Sequence, residues 1–180
     1  MVSVAGEEQK MKISIVGLAG SGKTTLAKRL MQKYGIEHLN LDYVIYKPIP
    51  GTHKRTRQSY EEYTGIVNKF IVKDNWIVEG LFPFRQVLEK ADKIVWIKPH
   101  LATILFRQWK RYFTDPIQRK EHGLINNFRL SKDMFMLYFG KKGRYLTENL
   151  KLETVKEITE LLKPYLNKLE IIKSSDELKD

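Results

Sequence analysis

The sequence predicts an α/β protein, a three-layer α/β/α domain built on an open, mostly parallel sheet of five strands. Three observations predict it. Five short apolar runs alternate with stretches of helical periodicity along the 180 residues. The first run breaks at a glycine-rich loop that leads straight into a helical pattern. The first four runs end at Gly17, Asp42, Glu79 and Lys98, which a parallel sheet gathers on the rim where ligands bind.

The elements follow in order. Met1 to Lys10 reads as a loose leader, and Ile13, Ile15 and Val16 form the first strand. Leu26, Ala27, Leu30 and Met31 then recur at helical spacing, and Gly35 stops that helix. His38 to Leu41 is a short strand ending at Asp42. Tyr43 to Gln58 carries two prolines and a glycine and reads as a loop. Ser59 with Glu62 forms a capping box, opening a helix with Tyr60, Tyr63, Val67, Phe70 and Ile71 on one side.

Asp74-Asn75 turns into the strand Trp76 to Glu79, and Phe84 to Lys90 suits a short helix. Lys93 to Lys98 is the fourth strand, halted by Pro99. A helix from about Leu101 to Tyr112 breaks at Thr114-Asp115-Pro116. Leu124 to Phe139 is helical in pattern, closed by the basic turn Gly140 to Gly143. A last helix, about Leu152 to Leu162, turns Val155, Ile158 and Leu161 inward and ends at Pro164. Lys168 to Lys173 supplies the final strand. One domain is expected over 1–180, with an acceptor-binding insert over 43–73 and a lid region over about 107–145.

Composition narrows the class. Hydrophobic content of 42% and charged content of 29% fit a globular protein. No apolar run approaches the roughly 20 residues that span a bilayer, and residues 1–10 have no apolar centre of a signal peptide. No membrane partner is therefore expected. Zero cysteines exclude disulfides and thiolate metal sites, and the expected location is cytoplasmic. The net charge of +11 points to nucleic acid, an anionic surface or phosphorylated small molecules. It is concentrated internally: Lys47, Lys54, Arg55 and Arg57 stand in a stretch without acids, and ten Lys or Arg face three acids between His100 and Tyr145.

The motif with the most specific chemistry is Gly17-Leu18-Ala19-Gly20-Ser21-Gly22-Lys23-Thr24, a complete G-x-x-x-x-G-K-[ST] between strand and helix. Its backbone N–H groups and the helix start would cradle the phosphates of a nucleoside triphosphate from Gly17, Ala19, Gly20, Ser21 and Gly22 through Thr25. Lys23 would reach the β- and γ-phosphates, and the Thr24 hydroxyl would bind Mg²⁺. Glu79 has the placement of a Walker-B acid, holding Mg²⁺ directly or through water, and Asp42 could take a proton from an acceptor hydroxyl or help hold the metal. Arg107 and Arg111 lie four apart, on one helix face, where they could neutralise a transferring phosphoryl group. Arg85 and Arg57 could bind an acceptor phosphate or carboxylate.

This ordering resembles the nucleoside-monophosphate-kinase and shikimate-kinase branch of P-loop proteins. Within that branch it is most similar to the small adenylate-kinase-like DNA topology modulation proteins. The matching pieces are Ile15 to Thr25, Leu39 to Asp42 with Tyr46-Lys47-Pro48, Trp76 to Gly80, Ala91 to Ile97 and the Arg107 to Arg111 helix. The resemblance implies a five-stranded parallel sheet in the order 2-3-1-4-5 and an acceptor-binding insert after the second strand. It also implies a lid bearing Arg107 and Arg111, with Asp42 contacting acceptor or metal. Two departures stand out: Glu79 replaces the aspartate usual in the D-G pair, and Gly80 to Arg85 is longer than the compact D-G-x-P-R.

The leading expectation is an ATP- and Mg²⁺-dependent phosphotransferase acting on a small acceptor. A hydroxyl acceptor needs Asp42 as base, whereas a monophosphate acceptor needs cations such as Arg85 or Arg57. The rival is a nucleic-acid-associated ATP-binding regulator, motivated by the charge and by Phe106, Trp109, Tyr112, Phe113 and Arg129.

Overall fold

The apolar runs pair into one sheet, and its three central strands, Lys12–Val16, Trp76–Gly80 and Lys93–Ile97, are buried almost throughout. A computed structural model describes residues 11–50, 55–81, 84–141 and 154–178. The expected leader, Lys54, Phe82, Pro83, the second half of the basic turn at 140–143, and the starting residues expected for the last helix lie outside the described residues.

In chain order the elements are β1 (Lys12–Val16), α1 (Lys23–Tyr34), β2 (His38–Asn40), α2 (Leu41–Ile45), β3 (Tyr46–Pro48) and β4 (Arg55–Arg57). They continue with α3 (Tyr60–Phe70), β5 (Trp76–Gly80), α4 (Arg85–Lys90), β6 (Lys93–Ile97), α5 (Leu101–Thr114) and α6 (Pro116–Tyr138). The chain closes with α7 (Val155–Leu162), a 3-10 turn (Lys163–Lys168) and β7 (Leu169–Ile172).

The main sheet runs β2-β5-β1-β6-β7, and every neighbouring pair is parallel. Counted by its own five strands, this is second, third, first, fourth, fifth. The numbers differ from the expected 2-3-1-4-5 because the expected loop Tyr43 to Gln58 contains an antiparallel hairpin, β3–β4. It also holds most of α2, which takes Leu41 and Asp42 from the strand they were expected to close. Gln58 fastens the hairpin to α2, its backbone N–H donating to Ile45 O at 2.9 Å and its side chain to Val44 O.

Strand alternation makes the three layers. Ile13 and Ile15 turn to the face that buries Leu26, Ala27 and Leu30 of α1. Val16, Trp76, Val78, Ile94 and Trp96 turn to the other, against Val67 of α3, Leu88 of α4 and Ile158 of α7. The expected capping box of Ser59 with Glu62 forms, and a second, Thr154 with Glu157, opens α7. Tyr60 departs from the expected apolar side of α3: it is exposed, its ring edge-on to buried Tyr63 at 5.4 Å. Gly123, with φ of 61°, kinks α6 one residue before the expected helix start at Leu124.

Candidate active site

The loop between β1 and α1 has its shape dictated by glycine. Gly20 and Gly22 hold φ of 79° and 106°, left-handed conformations that L side chains resist. Gly17 is required by space: a Cβ there would lie 2.6 Å from the backbone oxygen of Ile97. Ser21 N–H donates to Leu18 O at 3.1 Å, closing the turn. Gly22 is the N-cap of α1, with no side-chain cap and no acid in the first turn. The first N–H groups of α1 and its dipole are thus left for an anion. Ala19, Thr24 and Thr25 are exposed at this mouth, while Ser21 is buried.

Lys23 is buried and donates from Nζ to Leu18 O at 3.1 Å. Burial pushes its pKa below the usual lysine value; Asp42 and Glu79 oppose that shift and Arg111 adds to it. The charges of three other predicted residues, Asp42, Glu79 and Arg111, are therefore all felt at Lys23. Asp42 stands in the first turn of α2, and its Oδ1 accepts from Leu81 N–H at 3.4 Å.

Glu79 is buried at the end of β5, in register with Asn40 of β2. Asn40 Nδ2 donates to its Oε1 at 2.8 Å, and His38 Nε2 lies 3.4 Å from the same oxygen. Burial alone would raise the Glu79 pKa, but the contacts of His38 and Thr24 and the charge of Lys23 hold it below 4.5. Oε2 is buried without a hydrogen-bond partner. His38 and Asn40 were missed by sequence reasoning, whose only available signal was polar residues at every second place of a strand. Asn40 does double work, since its Oδ1 also caps α2 by accepting from Tyr43 N–H at 3.2 Å.

The lowered pKa of Glu79 gives a pH prediction. A depressed carboxylate contributes stability above its unfolded pKa, and that stability is lost as pH falls through the folded value. The melting temperature should therefore fall below pH 4.5, and Glu79→Gln should flatten that acid limb in a pH series of thermal melts.

Arg107 and Arg111 divide. Arg107 does not hang above the loop: its Nη1 donates to Gly20 O at 3.2 Å and Ser21 O at 2.9 Å. A Cβ at Gly22 would lie 3.4 Å from that nitrogen. Arg107 thus braces the loop's peptide groups, with the carbonyls held outward by α5. Arg111, one turn on, is exposed and is the arginine whose charge is felt at Lys23. Arg107→Ala should raise the KM for ATP about tenfold while lowering the melting temperature by about 2–4 °C, the equivalent of about 1 kcal/mol for a chain of this size. Initial-rate kinetics and a thermal melt check both.

The acceptor candidates also separate. Arg57 pairs with Tyr46 across the hairpin. Burial raises the Tyr46 pKa, Arg57 works against that shift, and Asp42 and Tyr63 add to it. Tyr46, unforeseen as a site residue, therefore joins Arg57 and Asp42. Arg85 lies 77% exposed, its Nε 3.6 Å from Glu89 one turn along α4. The structure does not bring it to the other charges. Lys98, expected on the rim, lies over the Trp96 ring at 5.0 Å.

No group of three or more His, Asp or Glu side chains forms a metal site among the described residues. The donor set fits a divalent ion that takes most of its oxygens from phosphate and water. Thr24 and the orphaned Glu79 Oε2 are the protein atoms suited to it.

Known proteins agree with this architecture. A family profile described as an AAA domain matches residues 13–76, from the first strand to the start of β5. No curated protein matches the sequence. Shikimate kinase from Bacteroides thetaiotaomicron superposes with a TM-score of 0.51 at 19% identity, covering 94% of this chain and 89% of that one. Shikimate kinase from Acinetobacter baumannii in complex with shikimate gives 0.41 at 17%, covering 71% and 79%. A gluconokinase from Sinorhizobium meliloti 1021 gives 0.41 at 15%, covering 65% and 74%. The chain shares its three-layer P-loop fold with the shikimate kinase from Bacteroides thetaiotaomicron.

Proposed function

We propose that the protein is a phosphotransferase that moves the γ-phosphate of ATP, with Mg²⁺, to a hydroxyl group of a small acceptor. One observation supports this reading: the glycine-shaped loop leaves the start of α1 uncapped beside buried Lys23, where the charges of Asp42, Glu79 and Arg111 are felt. The loop amides and Lys23 bind the triphosphate. Thr24 and Glu79 would hold Mg²⁺, which would neutralise phosphate charge.

The acceptor oxygen attacks the γ-phosphorus while the bond to the β-phosphate oxygen breaks. The hydroxyl proton passes to the Asp42 carboxylate, and ADP leaves. Arg111 offsets the charge on the transferring group. A hydroxyl is favoured over a monophosphate because Arg85 is turned to Glu89 and Lys47 acts on Glu62. Arg57 is then the cation that the described insert brings beside Asp42 and Tyr46, enough for one anionic group rather than a doubly charged phosphate.

The test is an acceptor screen with ATP and Mg²⁺, reading phosphorylated product, with Lys23→Met as control. Transfer to a hydroxylated, singly anionic acceptor is expected, and it should vanish in the control. If every acceptor failed and only slow hydrolysis remained, the transferase reading would be lost; if only monophosphates reacted, the hydroxyl assignment would be.

A further inference from the structure

Helix α6 is patterned inside out beyond its kink. Its inward positions include the polar residues Asn127 and Asp133 beside Met134 and Leu137, all buried. Gln108 of α5 serves that polar layer, its Nε2 donating to Asn127 O at 3.1 Å and to Ser131 Oγ at 3.1 Å. The outward stripe is apolar instead: Leu124, Ile125 (70% exposed), Phe128 (60%), Phe135 and Phe139 (60%). At 100° per residue these side chains share one side of the helix. The stripe continues onto α5, because Phe128 meets Trp109 at 4.9 Å and Trp109 stacks on exposed Phe113 at 5.9 Å.

Five large apolar residues on one outward face form a patch that a solvated surface rarely carries. Its chemistry says what covers it. Lys110, Arg129, Lys132 and Lys141 are all exposed on the same two helices or at their end, so the occupant is anionic as well as apolar. A second copy would set two basic faces against each other. Stacked bases need free ring faces, whereas Trp109 is taken up by Phe113 stacked on it at 30° and Phe128 edge-on at 73°, and Leu124 and Ile125 offer none. The residues form a ridge on one helix rather than a groove, and a ridge suits a deformable medium.

We propose that the outward face of α6, with the adjoining end of α5, docks on the surface of an anionic lipid bilayer. The phenylalanines and Ile125 enter the headgroup boundary, and the lysines and arginines meet lipid phosphates. No helix among the described residues is long and apolar enough to cross a membrane, so the contact is interfacial. It departs from the expectation of no membrane partner, which considered spanning alone.

The test is co-sedimentation with phosphatidylcholine vesicles carrying roughly 30% phosphatidylserine, with emission followed in parallel. Trp76 and Trp96 are buried in the core, so a change reports Trp109, and Trp109→Phe should abolish it. Partition at least tenfold stronger than onto pure phosphatidylcholine, with a blue shift, is expected. Phe128→Ser/Phe135→Ser/Phe139→Ser should lose at least tenfold, and Lys132→Glu alone should weaken binding without touching the apolar stripe. Thermal melts of both variants confirm folding. Absence of partition, partition equal in the folded triple variant, concentration-dependent self-association through this face, or tighter binding to a single-stranded oligonucleotide would each overturn the proposal.

Discussion

Lys23→Met is expected to lower the turnover of ATP roughly 10³-fold, the scale of losing a preorganised charge at a transferring phosphoryl group. Its effect on stability should run the other way. Burial pushes the Lys23 pKa down more than Asp42 and Glu79 pull it up, so the charged ammonium is disfavoured in the folded, ligand-free protein. A lysine with a lowered folded pKa leaves the unfolded chain holding more protons between that value and 10.5. Stability therefore rises with pH through this window. Methionine removes the buried charge, so the melting temperature at neutral pH should equal or exceed that of the unsubstituted protein, and the alkaline rise should disappear. A variant that is inactive yet no less stable would separate phosphate handling from folding. Inactivity with a large drop in melting temperature would count against this account of the lysine.

Asp42→Asn is expected to reduce kcat by about 10²–10⁴-fold, the usual range for a general base. The KM for ATP should change little. Asn preserves the size of the side chain and an acceptor for Leu81 N–H, so folding should survive. The loss should also be steepest for poor hydroxyl nucleophiles, which depend most on proton removal. Near-normal turnover would remove the base role and return the acceptor question to a monophosphate. Steady-state kinetics over pH distinguish the outcomes, because a lost base also removes the acid limb of the rate profile.

Much of the fold was legible because the signals were local. The glycine-rich loop, the apolar runs at β1, β5 and β6 and the Ser59–Glu62 box each declare themselves within a few residues. What escaped depends on partners distant in the chain. The hairpin Tyr46–Pro48 with Arg55–Arg57 has strands of three residues, too short for alternation to register, and Gln58 fixes it from outside. Asn40 reaches Glu79 across 39 positions and Arg107 reaches Gly20 across 87. Periodicity carries no information at that range. The helix face of Arg107 was readable, but not that it would meet loop carbonyls rather than phosphate. On α6 the periodicity itself misleads: both sides carry large apolar residues, so the pattern names a helix without naming its inner face.

The uncapped start of α1 ties the survival of the fold to its supply of ligand. Most helices seal their first turn with a side chain, worth about 1 kcal/mol; Gly22 supplies none, and in the proposed function a bound phosphate would take that place. Any anion held there adds stability as RT ln(1 + [L]/Kd), about 2.7 kcal/mol at a hundredfold excess over Kd. In a cell rich in triphosphate the chain would be long-lived, and as the triphosphate pool drained, the empty form would open more often to proteolysis. Its abundance would then follow the energy state of the cell with no regulator involved.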